Sequence, residues 1–124
     1  MQKKEETIYI IGIGGISLSA LARFLKKDGF DVLGSDICDS EILKNLRDDG
    51  FEITIGDNPN YVYRADMIVY TSAVSNNNSD ICLAKKLGKP IFSRAEVLGI
   101  RRHRFDLGAK EILFDQVIFL VKKF

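Results

Sequence analysis

The chain has 124 residues, 46% of them hydrophobic and 28% charged, with a formal net charge of +1. That balance fits one globular domain with a real core and carries no signature of a nucleic-acid-binding or membrane-surface protein. No apolar leader precedes the first predicted strand, and the apolar run at 117–121 is far too short to span a bilayer, so the expected location is the cytoplasm.

The apolar, β-branched run Ile8, Tyr9, Ile10, Ile11 reads as the first strand and leads directly into Gly12, Gly14 and Gly15. A helix is predicted over 16–28, because Ile16, Ala20 and Phe24 share one face with Leu21 and Leu25 beside them. Lys26 and Lys27 suit its C-terminal end, and Gly29 stops it. A second strand, 30–34, ends in Ser35-Asp36. Ser40 caps a helix over 41–49 with Ile42, Leu43 and Leu46 facing inward, and the alternating run 51–55 is the third strand. The connection 57–66 has room for only a short helix at 59–64. Residues 67–70 form the fourth strand, followed by Thr71, Ser72, Ala73 and Val74 and a polar turn. A helix over 79–87, a short strand at 90–92 and a further helical segment from Arg94 complete the regular pattern.

Three times a helix ends in glycine and a strand follows: Gly29-Phe30, Gly50-Phe51 and Gly88-Lys89-Pro90. This alternation predicts an α/β fold, a Rossmann-like doubly wound parallel sheet of about five strands with helices on both faces. The expected strand order is 3-2-1-4-5. In such a sheet ligands bind at the C-terminal strand ends where the order reverses, which brings together the 12–17 loop, Ser35-Asp36 and 71–74.

The candidate binding residues follow from that crevice. Gly12 permits a sharp turn out of the strand, and Gly14 lets a phosphate approach the backbone. The unpaired amides at the start of the next helix lie at its positive end and favour an anion. The motif is imperfect, since Gly12-x-Gly14-x-x-Ser17 has serine where a third glycine is usual. Asp36 lies 24 residues after Gly12, a spacing at which a carboxylate accepts bonds from ribose hydroxyls. Thr71, Ser72 and the backbone at Ala73 offer donors where the fourth strand meets the crevice. Each feature also has a plainer reading: a tight βα turn, a solvated loop aspartate and a strand-end turn.

No catalytic set is visible. His103, the single histidine, sits among Arg101, Arg102 and Arg104, and has no metal-ligand spacing with Cys38 or Cys82, which read as two cytosolic thiols. No GxxxxGK[S/T] loop occurs anywhere in the chain. Residues 99–124 carry six Lys and Arg against three acids, leaving 12 basic and 14 acidic residues in 1–98, so a mildly acidic body precedes a basic tail.

Taken together, I-I-G-I-G-G-I-S at 10–17, G-S-D at 34–36, T-S-A-V at 71–74 and S-R-A-E-V-L at 93–98 resemble the N-terminal domain of the Mur ligases. The resemblance covers residues 7–98. It implies a Rossmann-like domain at 1–98 that binds the UDP part of UDP-N-acetylmuramate rather than NAD. Gly12, Ile13, Gly14, Gly15, Ile16 and Ser17 would approach the diphosphate, Ser35 and Asp36 would lie toward the uridine, and Thr71, Ser72 and Ala73 would flank the diphosphate and sugar. The family's reaction, part of peptidoglycan precursor synthesis, activates the muramoyl carboxylate with ATP and Mg²⁺ as an acyl phosphate, which an amino-acid amine attacks. No ATP, Mg²⁺ or other cofactor is expected on these 124 residues, because the family's central ATPase domain and third domain have no counterpart in 99–124. The expectation is thus a binding domain that is inactive alone, with UDP-N-acetylmuramate or UDP as partner, no nucleic acid and no membrane. Whether the chain is part of a longer protein or short by nature stays open, as do homo-oligomerisation and a strand or helical turn at 116–121.

Two other classes compete. The glycine loop with Asp36 also suits an NAD(P)-binding domain of a dehydrogenase or regulatory sensor, where that aspartate would favour NAD. A degenerate module docking through its basic tail, with Phe105, Phe114 and Phe119, is the third.

Overall fold

The computed structural model describes residues 6–71, 73–75 and 77–94. The expected helix after Arg94, His103, the 116–121 segment and the basic tail lie outside the described residues. Among the described residues nine elements alternate: β1 (Thr7–Ile11), α1 (Ile16–Lys27), β2 (Asp31–Asp36), α2 (Glu41–Asp48), β3 (Glu52–Ile55), α3 (Pro59–Arg64), β4 (Met67–Tyr70), α4 (Ser79–Lys86) and β5 (Ile91–Ser93). The strands form one parallel sheet in the order β3-β2-β1-β4-β5. Element ends differ from the sequence reading by one or two residues, as at α1, which stops at Lys27, and β5, which starts at Ile91.

The order follows from burial. β1 is apolar on both faces, with Ile8, Tyr9 and Ile10 fully buried, so it takes the centre of the sheet. Edge strand β3 has no fully buried residue: Glu52 and Ile55 are exposed, and Ile53 and Thr54 are half-buried. Successive β1 side chains feed two separate cores. Ile8 and Ile10 pack with Leu18, Leu21, Ala22 and Leu25 of α1 and Leu43 and Leu46 of α2. Tyr9 and Ile11 pack with Tyr61 and Val62 of α3 and Ile81 and Ala84 of α4. Each fully buried leucine contributes roughly 1.5–3 kcal/mol relative to exposure, so α1 is held far more by its packed face than by propensity.

The helix ends are fixed locally. Ser40 Oγ accepts from the Leu43 amide at 3.2 Å, Asn58 Oδ1 from Tyr61 at 3.3 Å, and Asn78 Oδ1 from Asp80 and Ile81 at 2.9 and 3.1 Å. At the other end of α2, the Gly50 amide donates to Arg47 O and the Phe51 amide to Leu46 O, closing the helix and returning the chain to β3.

Candidate functional site

The first turn of α1 differs from those three ends. Its N-cap is Gly15, in extended conformation, and no side chain caps it; no acid sits in its first turn. The early amides of an α-helix have no intrahelical partner, so this end presents donors and the positive pole of α1 at the C-terminal edge of the sheet.

The loop before it is held by β2 and β4. Ser35 O accepts from the amides of both Gly12 and Ile13, at 2.8 and 3.1 Å. Gly12 has φ +90°, and a Cβ there would fall 2.4 Å from Thr71 Cγ2, so glycine both makes the turn and admits the β4 loop. The Gly14 amide donates to Asp36 Oδ2 at 2.8 Å, and a Cβ on Gly14 would lie 2.6 Å from that oxygen. Asp36 Oδ1 accepts from the Ile37 amide at 2.8 Å. Both carboxylate oxygens therefore already hold backbone, each with acceptor capacity left for a hydroxyl.

Above this loop lies a cleft of about 490 Å³. Gly12, Gly15, Ser35, Asp36, Thr71 and Ala73 of the sequence-derived set line it. Ile13 does not: it is fully buried, its side chain pressed over Gly34, where a Cβ would meet Ile13 Cδ1 at 2.5 Å. Gly14, Ile16 and Ser17 flank the cleft without lining it; Ile16 is 82% exposed, and Ser17 Oγ accepts from Arg94 Nε at 2.5 Å. Ser72 lies outside the described residues.

Val74, at the end of the 71–74 segment expected at the crevice, lines it as well, and the remaining wall comes from residues outside the sequence-derived set. Ile37, 83% exposed, follows Asp36; Gly56 and Asp57 follow β3; Ser75, Asn77 and Asn78 follow β4. The available signal was topological, since all sit just beyond C-terminal strand ends. Beneath the floor runs a buried polar network that local pattern could not reveal. Tyr9 Oη donates to Asp80 Oδ2 at 2.6 Å and lies 2.8 Å from Ser35 Oγ, and the Asn58 amide donates to the same Asp80 oxygen at 2.9 Å. Burial first, then the Asp80 carboxylate, push the Tyr9 phenol well above its usual range, so it stays a neutral donor. Among the described residues no group of three or more His, Cys, Asp or Glu could hold a metal ion. Cys38 and Cys82 are both exposed and form no disulfide.

The arrangement suits an extended ligand with an anionic centre placed at the helix N-terminus: an apolar and amide-lined cleft, with the carboxylates of Asp36 and Asp57 in its wall and the bare start of α1 beside it. Comparison with known proteins places the fold in a family. The family model described as Mur ligase family, catalytic domain, matches residues 7–105. The UDP-N-acetylmuramate–L-alanine ligase of Alkaliphilus metalliredigens is 45% identical over 92 residues, covering 74% of this chain and 20% of that protein. That of Clostridium kluyveri is 41% identical over 107 residues, covering 84% and 23%. The crystal structure of UDP-N-acetylmuramate-alanine ligase MurC from Thermotoga maritima superposes with a TM-score of 0.70 at 33% identity, over 77% of this chain and 23% of that one. The chain spans about a quarter of the length of the curated relatives it matches.

Proposed function

The chain belongs to the Mur ligase family, and from that membership we propose that it binds UDP-N-acetylmuramate as the N-terminal, Rossmann-like part of a UDP-N-acetylmuramate–L-alanine ligase. The observation that carries the proposal is the 490 Å³ cleft beside the uncapped start of α1, at the point where strand order reverses between β1 and β4. In this reading the diphosphate meets the first-turn amides of α1. The ribose hydroxyls bond the spare acceptor capacity of Asp36, and Ile37 gives the base an apolar face. Thr71 and Ala73 flank the sugar side, with Ser72 assigned there by sequence alone. We set the domain boundary after residue 98, and the cytoplasm as the compartment; no described helix is long and apolar enough to cross a membrane.

ATP and Mg²⁺ belong to the reaction of the full-length ligases. These residues do not fit them: the sequence holds no GxxxxGK[S/T] loop, and the described residues hold no metal-binding cluster. No chemical step is assigned to this chain, whose part is to hold and orient the sugar nucleotide.

Isothermal titration with UDP-N-acetylmuramate, UDP and NADH tests the reading. Saturable heat with the two uridine nucleotides and none with NADH is expected, with amide shifts at residues 12–17. Binding of NADH alone, or silence with all three, overturns it.

A further inference from the structure

The cleft has a charge problem. Its described lining includes two carboxylates, Asp36 and Asp57, and no Lys or Arg. A diphosphate entering there meets like charge, and a helix N-terminus offers only about half an elementary charge against it. A cation has to come from beside the lining.

The described arginines differ in one respect. Arg23 pairs with Asp49, Arg47 with Asp39 and Arg64 with Glu52, each a carboxylate. Arg94 instead donates through Nε to the hydroxyl of Ser17, a bond that spans 77 residues of sequence. Its charge is thus not neutralised by a carboxylate among the described residues. Position explains the pairing. Arg94 directly follows β5, whose Phe92 side chain is buried in the α1-side core. The Arg94 side chain reaches the first turn of α1, and a guanidinium bound through one N–H keeps four more donors in a rigid plane.

We propose that Arg94 is a phosphate-binding residue of this site, held in place by Ser17 so that its remaining donors face the diphosphate. The proposal rests on the sugar-nucleotide reading above. It also accounts for Ser17, whose hydroxyl, at the position where a third glycine is usual, anchors the cation that the glycine loop lacks.

The test is titration of the full 124-residue chain with UDP at two salt concentrations, for wild type, Arg94→Gln and Arg94→Lys, with thermal unfolding of each. Charge-assisted bonds of this kind predict that Arg94→Gln weakens UDP by about tenfold or more. Arg94→Lys should recover part of that loss, and the salt dependence of the Gln variant should be shallower, with unfolding midpoints unchanged. Equal affinity of wild type and Arg94→Gln overturns the proposal while leaving the sugar-nucleotide reading intact. So does weaker binding that lysine does not relieve, or that tracks a lowered unfolding midpoint, because either shows a role in the fold alone. A wild type that does not bind UDP overturns the underlying reading, and this proposal with it.

Discussion

Gly14 is the residue at which packing and recognition are hardest to separate. The Asp36 carboxylate sits where any side chain at 14 would go, and the same carboxylate takes the Gly14 amide. Gly14→Ala should therefore force Asp36 outward, costing roughly 1–3 kcal/mol of stability as overpacking does, and weakening UDP more than the fold loss explains. Chemical denaturation and titration of the same variant check the two parts. The glycine spacing and Asp36 were legible in the sequence because a turn and a carboxylate act through local geometry. Ile13 was not. It reads as one more loop position beside the ligand, yet it is buried over Gly34, a contact set by the partner strand rather than by its neighbours in the chain.

At the level of elements, the alternation of helix, glycine and strand was enough to predict a parallel sheet in the order observed. Each unit carries its own stop signal and its own apolar face, and right-handed crossovers leave few topologies. Boundaries were less legible, since the last turn of a helix such as α2 is decided by which carbonyls Gly50 and Phe51 close onto. The caps carry a measurable share of stability. Ser40→Ala removes the side-chain acceptor for the Leu43 amide and should cost about 1 kcal/mol, read as a lowered denaturation midpoint with an unchanged slope.

Over the whole molecule, Tyr9, Asp80 and the Asn58 amide tie β1, α4 and the start of α3 together beneath the cleft. No sequence pattern announces a bond between residues 71 positions apart, and Tyr9 reads simply as part of an apolar strand. The raised pKa of Tyr9 makes this network pH-sensitive in a defined sense. The unfolded phenol loses its proton near pH 10, while the folded one keeps it to higher pH. Its stabilisation is therefore complete below about pH 10 and declines as pH rises further. Tyr9→Phe should lower the unfolding midpoint at pH 7 by removing a buried bond to a carboxylate, about 1.5–3 kcal/mol, and should flatten the fall above pH 10 relative to wild type. Thermal melts of both proteins from pH 7 to 11 give the comparison, with Tyr61, also raised chiefly by burial, present in each.

Because every strand runs the same way, the molecule has two unlike ends. At one, the chain leaves the strands through the longer connections that surround the cleft; at the other, it re-enters them through tight turns such as the one at Gly50. Strands of three to six residues hold those ends roughly 10–20 Å apart. Under the proposed binding mode, sequence drift, added residues or an attached label at the tight-turn end should leave sugar-nucleotide affinity unchanged, whereas change at the other end reshapes the cleft. The parallel sheet thus divides the surface into one region remote from the cleft and one that borders it, before any single side chain is chosen.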